Sequence, residues 1–277
     1  MAFFVVFISW IIFSTLMSIF IENKWLIFLW IPLGYVVAMT VFIFFVFVML
    51  QTYFRKGEQN PKINVSFTRS TARLLNFFIF KIKIHQEGYD NVPLTGKTLC
   101  YANHRSKVDP LILLSIFKRP SGYTPKDTLY KVTILRLWFE RLGSMKIHRN
   151  NDRETAREMV RAIGRIKKGL MMVIYPEGTT KNHETETIEN VRLGSYKLAL
   201  KGEADIIPVS IFGAHAIKDN FPWRKSRIYV KFHEPIKYES IQNMNTQAVD
   251  TIVQSKINEG IKELQQRYGN KVRQMKE

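Results

Sequence analysis

The densest group of reactive side chains in the sequence is Asn103-His104-Arg105-Ser106-Lys107-Val108-Asp109. On a regular helix, a five-residue offset leaves the His104 and Asp109 side chains about 140° apart. Asp109 precedes Pro110, which biases it away from the helical region, so the segment reads as a loop folding back onto a helix start. That loop would set the Asp109 carboxylate against one imidazole nitrogen of His104. The other nitrogen would then be open to take a proton from a substrate hydroxyl. Spacing alone leaves a plainer reading open, with His104 a loop histidine and Asp109 a helix cap.

Three further segments have anion-binding or ligand-facing character. Tyr175-Pro176-Glu177-Gly178-Thr179-Thr180 follows an apolar run, and a glycine with two hydroxyls there lets backbone N–H groups approach an anion. It also reads as ordinary turn punctuation. Gly143-Ser144-Met145-Lys146-Ile147-His148-Arg149 delivers Arg149 to a loop, either to grip a phosphate or as plain surface. Ile206-Ile207-Pro208-Val209-Ser210 is a buried-strand pattern with a proline near its start. Cys100 lies four residues before His104, but its strand context marks a packing cysteine rather than a nucleophile. Arginines recur every fourth residue from Arg149 to Arg165, interleaved with Glu154 and Glu158. They read either as a solvated, ion-paired helix face or as a surface for headgroups or a polyphosphate.

The elements around these segments alternate. Strands are expected at Lys81–Glu87, Lys97–Ala102, Ser144–His148, Leu170–Tyr175, Asp205–Phe212 and Arg227–Phe232. Helices are expected at Leu111–Phe117, Thr128–Leu142, Asp152–Lys168, Val191–Lys201 and Thr246–Arg267. Ala156, Met159, Val160, Ile163 and Ile166 form the apolar face of the third. Helices between strands imply an α/β domain around a mostly parallel sheet.

Charge divides the chain. Residues 1–54 hold only Glu22 and Lys24, so the whole net charge of +18 falls in residues 55–277. The first part reads as a membrane-anchoring helical hairpin (1–54) and the rest as one domain (55–277). A hairpin that crosses the bilayer and one that dips into a single leaflet both fit. Arg55, Lys56 and the cations after them place the domain on the cytoplasmic face of a cell membrane. A basic body on an apolar anchor suits an anionic bilayer. No nucleic-acid-binding signature accompanies the charge, and a single cysteine excludes an internal disulfide.

In this order the four segments resemble the 1-acylglycerol-3-phosphate acyltransferase (lysophosphatidic acid acyltransferase) family of glycerolipid synthesis. Its N-H-x-x-x-x-D block is matched by Asn103, His104 and Asp109, and its Gly six residues before Arg by Gly143 and Arg149. Its F-P-E-G-T-R/S block falls on Tyr175 to Thr180, and its Pro-Val strand on Pro208 and Val209. The resemblance runs from about Gly88 to Phe232. It implies His104 as general base oriented by Asp109, and Arg149, Glu177, Gly178 and Thr179 at acceptor-binding positions. Pro208 lies in the block linked to the acyl donor. Thr180 stands where many members carry Arg, and the neighbouring Lys181 is expected to supply part of that charge. The implied reaction needs no metal or bound cofactor. It moves a fatty acyl group from an acyl-coenzyme A or acyl carrier protein thioester to the sn-2 hydroxyl of lysophosphatidate, giving phosphatidate. Another acceptor and a catalytically silent membrane adaptor are the competing readings, and intact His104, Asp109, Glu177 and Gly178 weigh against silence.

Overall fold

Apolar residues on both faces of Thr98–Ala102 (β2) make it a central strand, and all five of its residues are buried. The computed structural model describes residues 2–20, 27–52, 61–180 and 185–272. In it β2 is flanked by Met171–Ile174 (β4) and Asp205–Phe212 (β5), both parallel to it. The two-residue strand Ser121–Gly122 (β3) extends the sheet beyond β4. Ser226–Phe232 (β6) runs antiparallel to β5, and Ile82–Glu87 (β1) closes the far edge parallel to β6. The six-stranded order is β1-β6-β5-β2-β4-β3.

The period-two alternation sorts side chains onto two cores. Cys100 and Ala102 face one with Ile112, Leu113 and Phe117 of Asp109–Ile116 (α4) and its end. Leu99 and Tyr101 face the other. There Asp152–Lys167 (α6) contributes Ala162 and Ile166, Lys197–Gly202 (α7) Leu198, and Thr246–Tyr268 (α10) Val253 and Ile257. Short helices Ile217–Asn220 (α8) and Tyr238–Ile241 (α9) lie on either side of β6 in the chain. Because β2, β4 and β5 are parallel, the loops that follow them emerge at one edge of the sheet, the usual ligand-binding edge of open α/β folds.

Two apolar helices, Ala2–Phe20 (α1) and Ile27–Thr52 (α2), precede the sheet, followed by Pro61–Leu74 (α3), which continues as a π-helical turn through Ile79. Phe28–Val46 is long and apolar enough to cross a membrane. One face of α2 nevertheless packs on the α/β domain. Ala38, Met39, Phe42 and Val46 meet Phe67 and Leu74 of α3, with Leu137 and Trp138 of Thr133–Arg141 (α5) against them. The opposite face is bare, with Phe28, Val36 and Phe44 each more than half exposed. In turn, α3 is tied to α4 by Arg69 and Arg73, whose Nε atoms both donate to the Ser115 carbonyl at the helix end. The expected boundary at 54/55 lies outside the described residues.

Four expectations need correction. The Thr128–Leu142 helix is broken: Asp127–Lys131 is 3₁₀ and Val132, extended at φ −85° and ψ 112°, separates it from α5. Ser144–His148 is not a strand of the sheet. Its Met145 and Ile147 N–H groups bond to the Tyr123 and Pro125 carbonyls and its Ile147 carbonyl accepts the Asp127 N–H, but Pro125 has no N–H for the bond between, which leaves one isolated bridge. The helix expected at Val191–Lys201 begins as 3₁₀ at Leu193–Tyr196 and becomes α only at Lys197. On α6, Ala156 and Val160 face outward while Ala162 takes the buried place.

Candidate active site

The loop between β2 and α4 folds back as its spacing suggests. His104 Nδ1 lies 2.9 Å from Asp109 Oδ2, and the same oxygen accepts the Arg105 and Ser106 backbone N–H groups at 2.8 Å each. Asp109 is the first residue of α4 rather than its cap, which is Val108. Its carboxylate is fully buried. A carboxylate holding two N–H donors is an acceptor, so the bond to His104 is Nδ1–H donating. That tautomer leaves the Nε2 lone pair unprotonated, and Nε2 has no hydrogen-bond partner among the described residues. The imidazole stacks on the Tyr175 ring with centroids 4.2 Å apart. Burial, then the nearby Asp109 charge, pushes the Tyr175 hydroxyl well above its ordinary pKa. Burial likewise raises the Cys100 thiol, consistent with a packing cysteine.

The adjoining loop after β4 braces this arrangement. Tyr175-Pro176-Glu177-Gly178 is a β-turn closed by the Gly178 N–H on the Tyr175 carbonyl at 3.0 Å, with proline second and glycine fourth. Gly178 itself takes φ +65°, which a side chain would strain. The turn aims Glu177 inward, where it is 2% exposed. Its Oε2 accepts the His104 backbone N–H at 2.9 Å, both oxygens accept Arg105 Nη1 at 2.9 Å, and Oε1 accepts the Glu189 N–H at 3.0 Å. The resemblance implies an acceptor-binding carboxylate, but the geometry turns Glu177 towards the protein. Arg105 completes the clamp, donating to the carbonyls of His104, Thr185 and Thr187. Asn103 ties the loop to β5, exchanging bonds with the Ile211 N–H and C=O at 2.8 and 2.7 Å.

Arg149 reaches the same place from a different element. Its Nη2 donates to the Gly178 carbonyl at 2.7 Å while the side chain stays exposed. Thr179 and Thr180 follow at half-buried positions. Lys181 lies outside the described residues. A second arginine, missed in the sequence, flanks the glycine: Arg192 Nε is 3.2 Å from where a Gly178 Cβ would sit. Its only local signal was a basic residue beside Gly194 ahead of a helix. Pro208 is buried in β5 opposite Tyr101, its carbonyl accepting from the His233 N–H at 3.0 Å. Arg157 and Arg161 follow the solvated reading, paired to Glu154 and Glu158 at 2.5 and 2.6 Å, whereas the half-buried Arg165 donates to the Gly143 and Ser144 carbonyls at 2.6 and 2.9 Å.

The arrangement therefore offers a carboxylate-oriented histidine beside a glycine turn flanked by two guanidinium groups, at the carboxyl edge of a mostly parallel sheet. A family model described as Acyltransferase matches residues 83–212, a span that includes all of these groups. A 1-acyl-sn-glycerol-3-phosphate acyltransferase of Borreliella burgdorferi is 25% identical over 185 residues, covering 66% of this chain and 73% of its own. A probable enzyme of the same name from Mycoplasma pneumoniae is 27% identical over 152 residues, 53% of this chain and 56% of its own. The crystal structure of the 1-acyl-sn-glycerophosphate acyltransferase PlsC from Thermotoga maritima superposes with a TM-score of 0.68 at 20% identity, covering 86% of this chain and 93% of that one. That likeness establishes the shared fold.

Proposed function

We propose that this chain is a member of the 1-acylglycerol-3-phosphate acyltransferase family, a reading supported by the Acyltransferase match and the related sequences, and that it transfers a fatty acyl group from a thioester to the sn-2 hydroxyl of lysophosphatidate. The observation that carries the reading is the fully buried Asp109 carboxylate 2.9 Å from His104 Nδ1, beside the Arg149–Gly178 contact. His104 Nε2 takes the proton of the acceptor hydroxyl as its oxygen attacks the thioester carbonyl. Asp109 holds the tautomer and stabilises the imidazolium that forms. The tetrahedral intermediate collapses, the carbon–sulfur bond breaks, and His104 returns the proton to the leaving thiolate. Arg149 and Arg192 meet the acceptor phosphate, whose two charges need fixed cations once water is displaced. The chemistry calls for no metal or resident cofactor, and the donor is an acyl thioester of coenzyme A or of a carrier protein.

The α1–α2 pair holds the domain on a membrane. Its bare face exceeds what a water-soluble surface carries singly. The covered face of α2 favours a hairpin lying in one leaflet, since residues 38–46 cannot meet α3 and lipid on the same side. The cations after residue 54 favour the cytoplasmic leaflet.

Purified full-length protein is offered lysophosphatidate, glycerol 3-phosphate and lysophosphatidylcholine, each with both donor types, and products are read by mass spectrometry. Phosphatidate from lysophosphatidate is the expected product. Acylation confined to another acceptor overturns the assignment.

A further inference from the structure

The exposed aromatic residues of the α/β domain lie on two segments, the turn at 75–80 and the loop at 221–225, which meet at Phe80 and Phe221. Phe77, Phe221 and Trp223 are 63%, 46% and 85% exposed. Ring contacts join the first segment to α2 and to the second segment. Tyr35 of α2 meets Phe78 at 6.1 Å, Phe78 meets Phe77 edge-on at 4.9 Å, and Phe80 lies on Phe221 at 5.9 Å. Around them the chain is basic. Residues 217–227 carry four exposed cations, Lys218, Arg224, Lys225 and Arg227, against one carboxylate, Asp219.

Topology puts this patch beside the chemistry. The Phe221–Lys225 loop lies between the end of β5 and the start of β6. Since β5 runs parallel to β2 and β6 antiparallel to β5, the loop shares the sheet edge at which His104 emerges.

We propose that the Phe221–Lys225 loop, together with Phe77, is a second membrane contact, seated in the headgroup layer of an anionic bilayer. A tryptophan in water at this exposure leaves a large apolar ring unburied, whereas bilayer interfaces favour such amphipathic rings. The flanking cations match anionic headgroups, and Tyr35 packed on Phe78 ties the turn that carries Phe77 to α2. Two anchors on one edge of the sheet turn the His104 loop towards the surface on which a lysophospholipid resides. The inference rests on the membrane attachment proposed above.

Cys100 is buried, so an introduced thiol is selectively labelled. The full chain carrying Trp223→Cys and an environment-sensitive fluorophore is mixed with vesicles of phosphatidylglycerol or of phosphatidylcholine alone. Leu94→Cys serves as the reference, since Leu94 is 63% exposed and lies just ahead of β2, towards the opposite sheet edge. In phosphatidylglycerol vesicles the 223 label is expected to shift to the blue and be quenched by brominated lipid several-fold more than the 94 label. A vesicle-bound chain whose 223 label stays as open to iodide as the 94 label overturns this inference alone. A chain that fails to sediment with vesicles overturns the membrane attachment as well. Protection of the 223 label in lipid-free detergent marks a second copy as the occupant and overturns the lipid assignment. The Arg224→Glu/Lys225→Glu variant should lose activity several-fold on vesicle-borne lysophosphatidate and none on detergent-dispersed substrate, and an equal loss on both contradicts the proposal.

Discussion

Two histidines, His104 and His233, each pair with an oxygen, and their settings are opposite. His233 Nε2 lies 2.8 Å from Ser210 Oγ, which looks like a nucleophile with its base. The Ser210 hydroxyl, however, donates to the Ile257 carbonyl at 2.7 Å, so it can only accept from His233 Nε2–H. Gly260 of α10 has no Cβ to displace the pair, which serves to seat that helix on β5. His104 is bonded through Nδ1 to a buried carboxylate instead, and its Nε2 is left without a partner among the described residues. What separates a catalytic candidate from a packing strut is where the remaining proton and lone pair go, not which residue types meet.

The largest effect should come from undoing the carboxylate contact. Asp109→Asn should keep the fold, its carbonyl taking the Oδ2 place to hold the Arg105 and Ser106 N–H groups, and lower kcat by about 10³–10⁴-fold, because a neutral amide no longer stabilises the imidazolium. Near-normal turnover would erase the contrast with His233. Next is the clamp. Arg105→Met leaves Glu177 buried without its cation, at a cost of about 3–5 kcal/mol in urea unfolding. Glu177→Gln should lower kcat roughly tenfold, as a neutral-amide bond replaces a charge-assisted one at the His104 N–H, while the acceptor KM holds. A raised KM with kcat intact would return Glu177 to the acceptor site. Arg149→Ala and Arg192→Ala should each raise the acceptor KM about tenfold or more, the scale of a charged hydrogen bond, without changing the donor KM. Should Arg192→Ala leave it unchanged, the second guanidinium plays no part.

The smallest effects belong to the other histidine. Ser210→Ala should cost about 1–3 kcal/mol of stability and leave kcat unchanged. Burial, with Lys231 and Lys256 nearby, holds the His233 pKa down at about 4. The unfolded chain, titrating near 6.5, binds more protons between those values. His233 therefore contributes stability that is whole above pH 6.5 and lost as pH falls towards 4. Thermal melts of His233→Gln should show a shallower decline over that window, and an unchanged slope would assign the acid limb elsewhere.

The His104–Asp109 loop was legible because its partners lie within seven residues and Pro110 announces where the helix begins. The central strands were legible because both faces are apolar. The inward turn of Glu177 was not legible, since its partner Arg105 is brought to it by the parallel pairing of β2 with β4, which no local spacing encodes. Arg192 escaped for the same reason: the turn at Gly178 and the 3₁₀ segment at Leu193 meet only in the folded chain. The Thr128–Leu142 helix looked continuous because its helical periodicity persists across Val132, where the chain becomes extended. The antiparallel β5–β6 pairing was not anticipated either, since either direction suits two apolar strands joined by 13 residues.

The central claim is that His104, oriented by Asp109, is the base that activates the acceptor hydroxyl. Its most direct test is single-turnover acyl transfer from a thioester to lysophosphatidate by full-length wild type and by His104→Ala, with near-ultraviolet circular dichroism confirming an intact fold. The account predicts phosphatidate from the wild type and a rate at least about 10²–10⁴-fold lower in the variant, with membrane binding unchanged. Phosphatidate formed by folded His104→Ala at close to the wild-type rate would contradict it.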